Sequence, residues 1–391
     1  MRVVVITRSQ SGVPGGAGVP GGQIGMVQLA RSLARLGVDV ELFVGGPLMR
    51  YMSGLDGVTA TCFRWPVWLD RLIKGSPGRV RAWGMDLRRR RWVAAVAALP
   101  GIASADVIHV QGLLDTETLL TRFNGPIVVT HWGRVRRWRS QGSSTEEDLA
   151  LQDRIRRIRE NTKVVAIGEA QGEELAAVGL PPAAVIPPGI DLRHFRPGDR
   201  TEARRRAGLP HDSGIVLYVG RLAEDKNVET LMRAFARMPQ RPSAPRRLLI
   251  IGDGPLRARL QHLAGELGIG AATTFLPLVP HQDLPWYYWT ADVMVVPSDR
   301  LETFCMVALE AIACGCPLVV TSQVPEILRR FPGVPHVAPY DVGALCHHIG
   351  EAIEGRLRPA SDTPMGDYDW SYVARRYIDL YRATLRGTDA T

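Results

Sequence analysis

The chain alternates short, almost wholly apolar runs with longer stretches in which apolar residues recur every three or four positions. Val3–Thr7, Val38–Val44, Asp106–Val110, Pro126–Thr130, Val164–Ile167, Ile215–Val219, Leu248–Ile251, Val293–Val296 and Leu318–Val320 are runs of the first kind. Rich in Val and Ile and without polar alternation, they read as strands buried on both faces. Gln23–Leu36 is of the second kind: Ile24, Val27, Leu29, Ala30 and Leu33 share one helical face, and Gly37 stops it. Helices are likewise expected from near Asn227, up to Leu267, from Thr303 to just before Gly315, and over a last stretch carrying Val373, Tyr377, Leu380 and Tyr381. Ser144 and Glu147 form a capping box for a charged helix ending near Asn161.

Strand and helix in strict alternation predict an α/β protein with two doubly wound, mostly parallel domains. The Pro/Gly-rich segment from Val185 to Gly198 marks the boundary, giving domains at 1–190 and 191–368 and a terminal helical segment at 369–391. A length of 391 residues suits two such domains, and 46% apolar with 22% charged residues is ordinary globular composition. Five scattered cysteines, with only a C-G-C at 314–316 whose spacing is poor for zinc, predict a reduced, cytoplasmic protein. The opening M-R-V-V-V-I-T is too short for a signal peptide, and no run approaches the ~18 apolar residues of a membrane span, so a soluble chain is expected.

Charge changes the picture in one half only. Residues 1–190 hold 24 Lys/Arg against 16 Asp/Glu, while the rest is nearly balanced, 24 against 23. Residues 60–140 also carry Trp65, Trp68, Trp83, Trp92, Trp132 and Trp138 among arginines that include Arg88–Arg91. Aromatic faces stack on sugar rings and arginines pair with phosphates, so this region predicts an acceptor site or a face toward an anionic membrane. No nucleic-acid reading motif accompanies the charge, and nucleic acid is not expected as a partner.

The chemistry concentrates in two places. Glu302 and Glu310 stand eight positions apart around an expected helix start, at most ~12 Å along a helix. That spacing offers hydroxyl acceptors at both ends and, between them, the anion-favouring amides of a helix N-terminus. Arg221 and Lys226 follow a strand end and precede a helix, which suits a diphosphate. Elsewhere, Gly16, Gly18 and Gly21 spell G-x-G-x-x-G with Glu41 twenty residues on, the dinucleotide fingerprint, but about nine residues separate it from its strand where the true motif turns directly. An NAD-dependent oxidoreductase and a basic membrane-binding protein therefore stay as readings of other classes. The Asp-x-Asp of D-Y-D-W at 367–370 reads as cap and turn rather than a metal site.

The stretch E-T-F-C-M-V-A-L-E at 302–310 resembles the Glu, seven residues, Glu signature of retaining GT-B glycosyltransferases of family 4. G-R-L with Lys226, the G-D-G-P at 252–255, V-I-P-P-G-I-D at 185–191 and the Gly21-Gly22 pair resemble further motifs of that family. The resemblance implies two Rossmann-like domains facing across a cleft, the last helix crossing back to the first domain, and transfer of a sugar from a nucleotide-sugar to an acceptor hydroxyl without metal or other cofactor. By that likeness Glu310 would hold the ribose, Arg221 and Lys226 the diphosphate and Glu302 the sugar hydroxyls. Gly21, Gly22, Gly252, Thr303, Phe304, Cys305, Met306 and Val307 would line the donor, with Leu278 and Val279 beside the base. His131, in V-V-T-H-W-G, would touch the sugar near its reacting carbon. Gln23, His109, Trp132 and Trp138 are the acceptor-side candidates. UDP-sugar is favoured over GDP-sugar; the acceptor stays open between a small secondary metabolite, such as an aminoglycoside-type precursor, and a lipid or envelope glycan. Epimerisation and pseudo-glycosidic coupling are the alternatives within the same fold.

Overall fold

The computed structural model describes residues 1–8, 21–45, 57–63, 98–112, 125–132, 162–239, 245–300, 302–360 and 365–388, with scattered positions between 55 and 158. Trp65, Trp68, Trp83, Trp138, the glycine loop before Gly21 and the Ser144–Glu147 box lie outside the described residues. The described chain divides into two compact units, one made of residues up to 189 together with 370–388, the other of 190–369.

The first unit is built on seven parallel strands: β1 Arg2–Arg8, β2 Asp39–Gly45, β3 Val58–Phe63, β4 Val107–Gln111, β5 Ile127–Thr130, β6 Thr162–Ala166 and β7 Ala184–Val185, in the order β3-β2-β1-β4-β5-β6-β7. Alternate residues of β1 face opposite ways. Val3 and Val5 pack with Met26, Leu29 and Leu33 of helix α1 (Gly21–Arg35) and with Val373, Tyr377 and Tyr381 of the C-terminal helix, Trp370–Thr388. Val4 and Ile6 pack with Trp92, Leu99 and Leu175, the last from α2 (Glu169–Ala177). A sheet covered on both faces needs apolar side chains on both, which is why its strands lack polar alternation.

The second unit repeats the plan with six parallel strands: β8 Gly214–Val219, β9 Arg246–Ile251, β10 Thr273–Leu276, β11 Val293–Val296, β12 Leu318–Thr321 and β13 His336–Val337, in the order β10-β9-β8-β11-β12-β13. Its helices are α3 Arg200–Arg206, α4 Val228–Arg237, α5 Arg257–Glu266, α6 Leu284–Thr290, α7 Met306–Ala313 and α8 Val342–Ile353. Val216, Tyr218 and Ile250 face α4, α5 and α8, while Leu217, Ile251 and Met294 face α6 and α7. The buried Asp292, just before β11, accepts from the Ile215 amide at 2.6 Å, from Arg204 at 2.9 Å and from Arg200. Arg204, 2% exposed, also donates to the carbonyls of Thr290 and His211, so one ion pair ties α3, α6 and two strands together.

Helix α7 starts at Met306, three residues later than the sequence pattern suggested, because Cys305 is still non-helical (φ −111°, ψ 82°) and the Glu302 amide is drawn to the Gln323 carbonyl at 2.9 Å. Each sheet reverses its strand order once, between β1 and β4 and between β8 and β11. Ligands of open α/β sheets bind beyond the carboxyl ends of the strands at such a reversal.

Candidate functional site

Beyond β8 in the second unit the chain passes Gly220 and Arg221, makes a short turn at Glu224–Lys226, and enters α4 through Asn227, whose left-handed backbone (φ 48°) turns it sharply. Lys226 Nζ lies 3.0 Å from Glu302 Oε1, and the Ser298 hydroxyl donates to the same oxygen. Arg221 donates to both oxygens of Asp225 at 3.0 and 2.8 Å. The loops after β8 and β11, which meet at the strand-order reversal, thus bring three of the sequence candidates together. Neither cation is bare: Arg221 is matched by Asp225 and Lys226 by Glu302. Burial alone would lower the Lys226 pKa, but the Glu302 carboxylate, with lesser help from Asp225, reverses this and raises it, so Lys226 stays charged. Cys305 is pushed well above the thiol range by burial and then by Glu302, and is a neutral group beside that carboxylate.

Glu310 lies on α7 away from this cluster's hydrogen bonds. It is 2% exposed, with His281 Nε2 at 2.7 Å from one oxygen and the Tyr288 hydroxyl donating to the other at 2.8 Å. Thr303, Phe304, Met306 and Val307 are half-buried, Phe304 and Val307 packing onto the core beneath, and Cys305 is buried. Gly252 is required by geometry: its φ is +141°, and a Cβ there would stand 1.9 Å from the Gly220 carbonyl oxygen. Arg257 donates to the carbonyls of Gly252, Phe275 and Leu276, tying the ends of β9 and β10 just before the half-buried Leu278 and Val279.

In the first unit, His131 follows β5. The Gln171 side-chain amide donates to its carbonyl at 2.9 Å while the Gln171 oxygen accepts from the Ile167 amide at 2.8 Å. Burial lowers the His131 pKa to about 4, with Glu174 working the other way, so the ring is neutral at pH 7. The Trp132 indole rests on the start of α1: a Cβ on Gly25 would come within 2.1 Å of it, and one on Gly22 within 2.5 Å of Gln111 and 3.0 Å of the indole. Gly21 and Gly22 open this helix, so Gly22, which the likeness assigned to a phosphate, also makes room for an aromatic ring.

Four expectations change. His109 is fully buried, its ring nitrogens 2.6 Å from the Tyr381 hydroxyl and 2.7 Å from Thr130 Oγ1, so it anchors the C-terminal helix and does not face an acceptor. Gln23 is 2% exposed and its amide points at the Gly45 carbonyl, a tie between α1 and β2 rather than an acceptor contact. Trp92 is buried in the core, tilted against Phe43 and edge-on to Phe63, which removes it from the sugar-stacking set. Glu41 sits in the first half of β2 beside Arg2, at the wrong end of the strand for the ribose of a dinucleotide, which takes away the oxidoreductase reading's acid.

Asp367 lies in the short turn Gly366–Tyr368, and Asp369 stands directly before the C-terminal helix. Among the described residues no group of three or more His, Cys, Asp or Glu is placed to hold a metal. Burial raises Cys314 far above the thiol range and Cys316 to about 12, so neither is a thiolate. Among the described residues no helix is long and apolar enough to cross a membrane. Tyr218, Asp225, Ser298, His281, Tyr288, Gln171 and Arg257 were not singled out by sequence. Only Ser298, the first polar residue after a buried strand, carried a local signal.

The profile of Glycosyltransferase Family 4 matches residues 19–194 and that of Glycosyl transferases group 1 matches 199–361, so the two cover most of the chain. A D-inositol 3-phosphate glycosyltransferase of Catenulispora acidiphila is 29% identical over 96% of this chain and 93% of its own, and one from Mycobacterium avium is 28% identical over 98% and 94%. Among solved structures, sucrose-phosphate synthase from Thermosynechococcus elongatus superposes with a TM-score of 0.75 at 24% identity over 99% of both chains. Anabaena HepE with UDP and glucose gives 0.70 at 15% identity, over 98% of this chain and all of its own. With two parallel Rossmann-like sheets and motifs that fall on their strand ends, the chain belongs to the GT-B glycosyltransferases of group 1, family 4.

Proposed function

We propose that this glycosyltransferase takes its sugar from a nucleotide-sugar, UDP-linked in preference to GDP-linked, and moves it to an acceptor hydroxyl with retention at the anomeric carbon. The observation that carries this reading is the Lys226–Glu302 pair at the strand-order reversal, followed by the opening turn of α7 and then Glu310. Lys226 and Arg221 would turn from their carboxylates to the diphosphate and stabilise it as the bond to C1 breaks. Glu302, held by Lys226 and Ser298, would accept from sugar hydroxyls, and Glu310 from the ribose. His131, neutral and pinned through Gln171, would hydrogen-bond the sugar close to C1. The acceptor oxygen forms its bond to C1 on the face the diphosphate leaves, and its proton passes to the leaving phosphate oxygen.

HepE was solved with UDP and with UDP-glucose, which supports the uridine donor. Relatives named for D-inositol 3-phosphate favour a small polyol acceptor, and the basic excess of residues 1–190 fits an anionic group on it. No cofactor or metal is needed for the chemistry as drawn. The test is turnover of UDP-glucose, UDP-N-acetylglucosamine and GDP-mannose with inositol 3-phosphate and with aminocyclitols, the product's anomeric configuration being read by NMR. We expect an α-linked product from an α-linked donor, and about a hundredfold loss of kcat in Lys226→Met. Inversion at C1 would refute the mechanism, and undiminished turnover in Lys226→Met would refute that residue's role.

A further inference from the structure

Glu310 is the carboxylate that the proposed function gives to the ribose, and each of its oxygens is already engaged by one donor. His281, in the turn before α6, is 2.7 Å away through Nε2; Tyr288, on α6, donates at 2.8 Å. Neither donor is free to wander. Tyr288 is 1% exposed, and the buried Phe195 ring lies 5.0 Å from the His281 ring and 6.2 Å from that of Tyr288. Two fixed donors, one per oxygen, define the plane of a carboxylate and stop it rotating about its last bond. An ionised carboxylate offers about four lone-pair positions, so each oxygen keeps capacity for one more hydrogen bond. Two such acceptors on one rigid group match two hydroxyls on adjacent carbons, as a planar bidentate donor would be matched.

We propose that His281 and Tyr288 are positioning residues for Glu310, holding its carboxylate so that both oxygens accept from the vicinal 2′- and 3′-hydroxyls of a nucleoside diphosphate, and that this clamp sets a preference for ribo- over 2′-deoxyribonucleotides. The inference rests on Glu310 as the ribose ligand. A 2′-deoxy nucleotide leaves one oxygen of a nearly buried carboxylate without its partner, and an unmet acceptor in such a place is what discriminates between otherwise similar ligands. If the carboxylate could rotate, it would turn to a single remaining hydroxyl or to water, and the discrimination would shrink.

The experiment is calorimetric titration of the full chain with UDP, 2′-deoxy-UDP, GDP and 2′-deoxy-GDP, on wild type and on Glu310→Ala, Tyr288→Phe, His281→Ala and His281→Gln. Wild type should prefer the ribo form by about tenfold, and Glu310→Ala should bind both forms alike. Tyr288→Phe removes one oxygen from a buried ring and keeps its shape, and it should reduce the preference severalfold, as should His281→Ala. His281→Gln restores an amide donor at the same reach and should recover the preference, which a purely structural role for the ring would not predict. If Tyr288→Phe and His281→Ala keep the wild-type preference while Glu310→Ala loses it, the positioning role is overturned and the ribose reading stands. Tighter UDP binding by His281→Ala than by wild type also overturns it, since the ring would then occupy the place of a ribose hydroxyl. A wild-type chain that binds UDP or GDP without ribose preference overturns the clamp, and one that binds none of the four overturns the donor reading itself.

Discussion

Two histidines show how burial decides chemistry at the scale of single side chains. His109 and His131 are lowered by desolvation to about 3 and about 4, so both are neutral in the folded protein at pH 7. A histidine depressed in the folded state binds its proton more readily unfolded; its stabilising contribution is complete above the unfolded value of about 6.5 and is lost as pH falls toward the folded one. By pH 4 each should cost about 3 kcal/mol, at about 1.4 kcal/mol per pH unit. Chemical denaturation between pH 7 and 4 should therefore show a steep loss of stability, and His109→Gln should flatten that slope whatever it does to stability at pH 7. The positions of Arg221, Lys226 and Glu302 were legible in sequence because each follows a buried strand within a few residues. Partners from elsewhere in the chain were not: Gln171, which holds His131, and Tyr288, which holds Glu310, acquire meaning only when separate loops or helices meet. For the same reason His109 was misread. A strand-end histidine looks like a ligand until the terminal helix, some 270 residues on, is seen to engage one ring nitrogen through Tyr381 while Thr130 of β5 takes the other.

Among elements, the strands at the centre of each sheet were the easiest to read, since burial on both faces leaves no polar residue to interrupt them. β3 was missed because it is an edge strand with alternating exposure, and V-T-A-T-C-F carries its polar residues in the middle. β7 and β13, two residues each, are too short to leave a periodic signal. The tie from Arg204 to Asp292 was equally invisible, being an arginine in an arginine-rich helix until its three acceptors are known. Removing one member of a buried ion pair leaves the other charge unmatched, and Arg204→Met should destabilise the second unit by about 3–5 kcal/mol. The double variant Arg204→Met, Asp292→Leu should recover part of that loss. Recovery of none, in a denaturant titration, would mean that the bonds from Asp292 to Ile215 and Arg200 matter more than the pair.

At the scale of the whole molecule the two units are threaded differently. Residues 190–369 are continuous, whereas the first unit is completed by residues 370–388, which supply Trp370, Val373, Tyr377 and Tyr381 to the core around α1 and β2. A chain ending at Asp369 should lose hydrogen-exchange protection in α1 and β2 while keeping it in β8, β9 and β11; equal loss in both units would contradict that division. The same threading sets an order of events on the ribosome. The part translated first cannot close its core until the last helix has been made, and at about 5–20 residues per second the intervening 190–369 segment imposes a wait of roughly 10–40 s. During that interval the apolar stripe of Met26, Leu29 and Leu33 has no terminal helix to lie against, and the later-made unit is the first able to finish folding. Newly synthesised protein should thus depend on chaperones through its amino-terminal half.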